Sequence, residues 1–324
     1  MIKIGFFDGT LFLKHLMAKK YRFVSFLFLI ILWSQCSNNA PNNSEPIESD
    51  PTVLSGTGVF EFSDYEPLQD KPVNVHYHIP TTFTQTSKIV LVFHGAGRNA
   101  ADYRNALIDQ SDEHGFAVIV PEFSIENFPS GDAYNLGNVF VDGDNPSPNT
   151  LNPEEIWTFS LIDPIFEKIK ELTSNTSDTY DVIGHSAGGQ FAHRLAMFQP
   201  EANFATMIVS APGWYTVPDI QTDFPYGFGE SPLTNANFAA LFSKNITIQV
   251  GELDNNPNAS GLRRNPTVDV QGTNRYDRAN YFYSFSENLA NSNNLTFSWQ
   301  LRINQGVGHD YRAALVFATN LLFN

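Results

Sequence analysis

From residue 53 onward the chain alternates between short apolar runs and longer stretches of helical period. Residues 58–62 and 73–79 place apolar and polar side chains in turn, the period of two expected of half-buried strands. Residues 88–93, 116–120, 179–183, 205–209 and 246–250 are nearly continuous apolar runs, which suit strands covered on both faces in a parallel sheet. Residues 297–303 alternate again, as a more exposed last strand would. Between them lie helical stretches at 100–114, 153–172, 188–198, 235–241, 274–290 and 310–322. The second of these has Asn152 as an N-cap, Pro153 at the first helical position, and Glu154 and Glu155 near the positive end of the helix dipole. Repeated strand–helix units predict an α/β fold, a single doubly wound, mostly parallel sheet of about eight strands flanked by helices, with sites at the carboxyl ends of the strands. Residues 124–152 and 212–234 resist that scheme, being long, each following a strand, and rich in Gly, Pro, Asn and aromatics. Long loops in compact domains are usually functional, so both are expected to overhang the rim where ligands bind.

The segment before residue 53 has a different character. The apolar run 23–33 follows Lys19, Lys20 and Arg22, the n-region and h-region of a secretory signal, and it is too short for a comfortable membrane span. The sixteen residues before Met17 add nothing to such a signal, which suggests that translation starts at Met17. Cys36, the only cysteine of the chain, stands directly after the run, so that residues 1–35 resemble a bacterial lipoprotein signal with Cys36 as the lipid attachment point. The resemblance departs from the usual pattern at Trp33, where Leu is expected, and at Gln35, where a small residue is expected. The alternative is an ordinary secreted protein with a stray thiol. Residues 36–52 are polar, rich in Asn, Pro and Ser and without periodicity, as a flexible tether would be, and residues 53–324 form the folded domain.

Composition narrows the function. Among 324 residues there are 34 Asp and Glu against 19 Lys and Arg, a net charge of −15, which argues against nucleic-acid binding by a basic face. Removing residues 1–35 would take away Lys3, Lys14, Lys19, Lys20 and Arg22 but only one acid, Asp8, leaving the remainder more acidic still. A single Cys excludes an intrachain disulfide framework and a zinc site built on cysteine pairs, and no cofactor or metal is called for. Twenty-eight Phe, 12 Tyr and 4 Trp supply ample material for a core.

The chemistry is concentrated in one run, Val182-Ile183-Gly184-His185-Ser186-Ala187-Gly188-Gly189, which sets a G-x-S-x-G motif between a strand and a helix. Its glycines permit the tight turn that lifts a serine hydroxyl above the sheet edge, where the following helix points its free N–H groups. A serine hydroxyl needs a base, and the base an orienting acid. His309, on the glycine-bearing loop before the last helix, is the candidate base, whereas His193, inside the helix after the motif, fits packing or surface. For the acid, Asp254 follows the strand 246–250, with Glu252 in the same turn as runner-up; Asp269 and Asp277 fit surface charges better. In Phe93-His94-Gly95-Ala96-Gly97 a backbone N–H, that of Ala96 or alternatively Gly97, would join that of Ala187 as an oxyanion hole, with His94 as a structural turn residue.

These segments give the chain its family likeness. With HGAGRNAADY (94–103), GHSAGG (184–189), QGTNRYDRANYFY (271–283), GELD (251–254) and GVGHD (306–310), it resembles an α/β-hydrolase, in the group of poly(3-hydroxybutyrate) depolymerase-like and feruloyl-esterase-like enzymes. The likeness covers residues 55–324, and its motifs are specific to the superfamily rather than to one substrate. Secreted members often carry disulfides, from which this chain departs.

Weaker signals have bland readings beside the sharp ones. Trp214 and Tyr215, on the loop after strand 205–209, could stack on a substrate or anchor the loop; Tyr134, Phe140, Tyr226 and Phe228 carry less weight. Arg263, Arg264, Arg275 and Arg278 could bind an anionic substrate group or pair with Asp269 and Asp277. Residues 142–145 (DGDN) lack the ordered spacing of a calcium loop and read as a polar turn. The resulting expectation is an exported serine hydrolase cleaving small or polymer-linked carboxylic esters, touching a membrane only through its lipid. Its rivals are a lipase or peptidase with the same triad and a non-catalytic binding lipoprotein on a hydrolase fold.

Overall fold

The computed structural model describes residues 53–323; the signal at 1–35, Met17, Cys36 and the tether 36–52 lie outside the described residues. Eight strands form one sheet: β1 (Gly56–Phe62), β2 (Val73–Ile79), β3 (Ile89–Phe93), β4 (Ala117–Glu122), β5 (Tyr180–His185), β6 (Phe204–Ser210), β7 (Ile246–Gly251) and β8 (Gln300–Asn304). Their order is β1-β2-β4-β3-β5-β6-β7-β8. The β1–β2 and β2–β4 pairs are antiparallel, and every other pair is parallel. The apolar runs became central strands, with β3 and β7 buried along their whole length, while the alternating segments β1 and β8 form the half-exposed edges.

The central strands β3, β4, β5 and β6 send alternate side chains into two cores. Ile89, Leu91 and Phe93 of β3 face the larger one, which is closed by the helices α3 (Ile162–Thr173), α4 (Ala187–Phe198) and α7 (Arg275–Ser292). Val90 and Val92 face the smaller one, covered by α1 (Ala100–Asn105) and α8 (Tyr311–Phe323), with α2 (Ile108–His114) beside them. Two short helices, α5 (Phe238–Ser243) and α6 (Pro266–Asp269), complete the set. Among the described residues, no helix is long and apolar enough to cross a membrane.

Two predicted helices are broken in the structure. The stretch 100–114 divides at Ala106–Leu107, where Leu107 turns fully into the smaller core at φ −114°, ψ 4°. The stretch 153–172 is helical only from Ile162. Asn152 is not a cap, and Pro153 is extended at ψ 142°; short 3-10 turns at Glu154–Ile156 and Thr158–Leu161 precede α3. Trp157 is the cause: its extended backbone lets the indole bury against Phe198 while Nε1 donates to the Asn152 carbonyl at 2.9 Å.

The sheet order also fixes where a site can form. The chain leaves β3 toward β4 on one side, and returns to β5 on the other, so the connections diverge between β3 and β5, and ligands of such sheets bind at the carboxyl ends there. Phe93 pairs with Gly184 across the β3–β5 ladder, which sets the segment after Phe93 level with His185 and Ser186.

Candidate active site

Ser186 occupies the sharp turn between β5 and α4 at φ 58°, ψ −116°, a left-handed conformation rare for a residue with a side chain. Glycine is required around it because backbones nearly touch. A Cβ on Gly188 would lie 1.9 Å from the Phe93 carbonyl oxygen, and one on Gly184 would lie 2.3 Å from the Gly188 carbonyl oxygen. That approach seats α4 directly on β3 and β5 and leaves Ser186 only partly covered.

Loops at the far end of the sheet bring His309 and Asp254, the candidate base and acid, to this serine. His309, between β8 and α8, has Nε2 3.0 Å from Ser186 Oγ and Nδ1 2.6 Å from Asp254 Oδ2. With Nδ1–H donating to the carboxylate, Nε2 is left as the acceptor for the serine hydroxyl, a tautomer assigned from the hydrogen bonds. Asp254 is buried in the turn after β7. Glu252, the runner-up, is exposed and accepts from Gly306 N–H at 2.9 Å, so it braces the histidine loop from the outside.

The oxyanion expectation has a geometric counterpart. Ala187 is the first residue of α4, where an N–H has no partner within the helix, and Ala96 follows the Phe93–His94–Gly95 turn beside the serine. Among the described residues, neither the Ala96 nor the Ala187 N–H donates to a protein acceptor. His94 is the expected turn residue. It is fully buried, Nδ1–H donates to the Gly95 carbonyl at 3.0 Å, and Nε2 accepts from Phe123 N–H at 3.2 Å. Burial lowers its pKa to about 4, keeping it neutral. His193 packs likewise inside α4, with Nδ1 2.9 Å from the Gly189 carbonyl and Nε2 accepting from Thr216 N–H at 3.0 Å.

Two neighbours were not singled out by sequence reasoning. His185 lies against His309 with ring centroids 4.7 Å apart, and its Nδ1 is 3.1 Å from the Tyr103 hydroxyl. Burial holds the His185 pKa well below its ordinary 6.5, so an imidazolium on His309 would meet no second cation there. Burial also raises the Tyr103 hydroxyl, keeping it protonated. His185 is the variable position of G-x-S-x-G, so its place was legible even though its pairing was not.

The arginines follow the expected pairing in part, at Asp269 and not at Asp277. Arg275 is buried with NH1 3.4 Å from Asp254 Oδ1, on the oxygen that His309 does not use. Arg263 grips Asp144 through two bonds of 2.7 and 2.8 Å. Arg264 and Arg278 do reach Asp269, whereas Asp277 accepts from the Asn274 side chain and carries no arginine. Asp142 accepts from Asn145 N–H, closing the polar turn.

Of the two readings of Trp214 and Tyr215, burial favours loop anchoring over stacking on a substrate. The two residues are only 3% and 0% exposed. The Arg194 and Arg263 guanidinium carbons lie 4.2 and 4.8 Å from the Trp214 ring centroid, and Tyr215 stacks on Phe282 at 4.3 Å. Neither ring offers a face to a ligand; both anchor the loop 212–234. Tyr134, Phe140 and Phe228 are buried in the same way. Among the described residues, no group of three or more His, Cys, Asp or Glu is placed to hold a metal.

The sheet order and the strained serine turn define an α/β-hydrolase. No protein-family model matches the chain, and no curated protein matches it. Among solved structures it is similar to poly(aspartic acid) hydrolase-1 from Sphingomonas sp. KT-1, with 34% identity and a TM-score of 0.78 over 84% of this chain and 100% of that one. It is also similar to LpqC, a poly(3-hydroxybutyrate) depolymerase from Bordetella parapertussis, with 32% identity and a TM-score of 0.76 over 83% of this chain and 90% of that one. Siderophore hydrolase EstB from Aspergillus nidulans shares the fold at 15% identity and a TM-score of 0.51, covering 84% and 96% of the two chains. The chain belongs to the α/β-hydrolase family of these proteins and is a hydrolase.

Proposed function

We propose that the protein is an exported serine hydrolase of carboxylic esters, acting through Ser186, His309 and Asp254. The observation that carries this reading is the continuous chain of contacts from Ser186 Oγ to His309 Nε2 at 3.0 Å and from His309 Nδ1 to Asp254 Oδ2 at 2.6 Å. In the proposed cycle Ser186 Oγ bonds to the ester carbonyl carbon as its proton passes to His309 Nε2. The carbonyl oxygen takes the negative charge and accepts from the N–H groups of Ala96 and Ala187. The carbon–oxygen bond to the alcohol then breaks, and His309 returns the proton to the leaving oxygen. Water repeats the attack on the acyl-enzyme, again giving its proton to His309, and collapse frees the acid and restores Ser186. Asp254 holds the imidazole in the tautomer this requires, and Arg275 keeps that carboxylate in place.

Export and lipid attachment at Cys36 rest on the sequence before residue 53 alone. A polymer-linked ester agrees with LpqC, a polyester depolymerase by name, while poly(aspartic acid) hydrolase-1 favours a second reading, cleavage within a poly(amino acid). The experiment is labelling with a fluorophosphonate probe beside turnover of 4-nitrophenyl acetate and of poly(aspartic acid). An adduct on Ser186, with ester turnover abolished by Ser186→Ala, is expected. Absence of the adduct in folded protein would leave a binding lipoprotein on a hydrolase fold, and turnover of the poly(amino acid) alone would favour the second reading.

A further inference from the structure

Beside Ser186 lies a groove of about 290 Å³ whose lining includes Ala96, Arg98, Ser130, Tyr134, Asn135 and Ala187. Arg98 is its only cation. The guanidinium rests 4.4 Å from the Tyr134 ring centroid, donates through NH1 to the Phe123 carbonyl and through NH2 to the Ser130 carbonyl at 2.7 Å. Those bonds use two of its five N–H groups. Among the described residues no carboxylate lies within ion-pair distance of it, although the chain carries 34 of them.

That isolation separates Arg98 from the chain's other site-flanking arginines. Arg263, Arg264 and Arg275 each hold a carboxylate, and Arg194 and Arg278 are fully buried. Arg98 is half-buried, held in place by carbonyls, and faces a groove that also contains the two oxyanion donors. A planar cation fixed in this way is suited to a carboxylate, which it binds through two N–H groups at once.

The strand order says which half of an ester meets it. His309 follows β8, whereas Arg98 follows β3 and is anchored on Phe123 beyond β4, on the opposite side of Ser186. The leaving alcohol must face His309, which protonates it, so the groove receives the acyl half. Resting on the serine-esterase reading above, we propose that Arg98 forms an acyl-side subsite for a carboxylate, so that the preferred substrates are half-esters of short dicarboxylic acids. A single fixed cation in a chain of net charge −15 suits one carboxylate and not a polyanion, which the remaining acids would repel.

The test compares 4-nitrophenyl hydrogen adipate and hydrogen glutarate with their 4-nitrophenyl methyl diesters, each corrected for uncatalysed hydrolysis. The wild-type protein is expected to favour the acid over the methyl diester by about 10-fold or more in kcat/KM, the scale of a hydrogen-bonded charge pair. Arg98→Gln should collapse that ratio toward one, and Arg98→Lys should give an intermediate value. A wild-type ratio at or below one overturns the subsite without any variant. A ratio unchanged in Arg98→Lys and in Arg98→Gln also overturns it, and equal loss on both esters would make Arg98 a loop staple only. Failure of the underlying reading looks different: Ser186→Ala would then retain hydrolysis of acid and diester alike.

Discussion

Gly188→Ala offers a sharp test of how the nucleophile turn is built. The added methyl carbon would sit 1.9 Å from the Phe93 carbonyl oxygen, 2.4 Å from its carbonyl carbon and 2.8 Å from the His94 carbonyl oxygen. All three are backbone atoms of a central strand and the turn after it, so no side chain can swing aside. Reaching an ordinary contact of about 3.4 Å requires α4 and β3 to separate by more than about 1 Å. Overpacking typically costs about 1–3 kcal/mol, and a rigid backbone neighbour places this case at the upper end. At about 2–4 °C per kcal/mol the melting temperature should fall by about 5–10 °C. The same shift moves Ala187 away from Ala96 and displaces Ser186, and a 1 Å misplacement typically costs about 100-fold in rate. Gly308→Ala is the control: nothing lies within 4 Å of its Cβ and its φ is not positive, so stability should change by less than about 0.5 kcal/mol although it adjoins His309. Thermal melts and kcat/KM on 4-nitrophenyl acetate for both variants decide the matter. Wild-type melting and turnover in Gly188→Ala would refute the close-approach argument.

Asp254→Asn should lower kcat by about 10⁴, because an amide favours the wrong histidine tautomer. It should also destabilise the fold by about 3 kcal/mol by leaving Arg275 buried without a carboxylate; a loss of rate under 100-fold in steady-state kinetics would contradict the assignment. Stability should fall as the solution is acidified below pH 6.5. His94, His185 and His193 have pKa values lowered by burial, so below 6.5 the unfolded chain binds more protons than the folded one. Each contributes roughly tenfold per pH unit to the folding equilibrium, for His94 down to about pH 4, and a flat urea midpoint between pH 7 and 5 would speak against it. Cys36→Ser should abolish labelling by a clickable fatty acid and release the protein from membranes on cell fractionation, whereas retained label would place the lipid elsewhere.

Much of the arrangement could be read from the chain because the relevant signals are local. The apolar runs marked the central strands, G-x-S-x-G marked the turn at Ser186, and position after the strand 246–250 and before the last helix pointed to Asp254 and His309 as candidates. Where tertiary contacts overrode local preference, the reading failed. Trp157 and Leu107 break predicted helices in order to reach the core, which no period reveals. Pro164 did carry a warning: it falls in the middle of the predicted 153–172 helix, where it would remove a hydrogen bond, but at the third residue of the real α3, where no bond is lost. Trp214 and Tyr215 stayed open between two readings for a related reason, since an aromatic on a loop looks the same in sequence whether it faces solvent or anchors the loop.

Those loops also explain why an acidic chain buries arginines around its site. A long irregular segment leaves carbonyls without the ladder partners that strands and helices supply, and each buried one must find a donor. Arg278 donates to the carbonyls of Gly272, Gly213 and Arg263 at 2.9, 2.5 and 2.8 Å, joining the segment after β7 to the loop after β6. Arg194 joins the Asn135 carbonyl to Thr216 Oγ1, each at 2.8 Å, tying the loop after β4 to the same region. Lysine has only three donors on a point charge and could not span these directions. Both arginines stay fully buried and are held mainly by neutral oxygens; Arg278 also reaches Asp269 at 3.2 Å, so its charge is shared between loop carbonyls and one acid. The acidic surface and the buried cations are thus separate features: one acts at long range in solvent, the other fixes the loops that wall the serine.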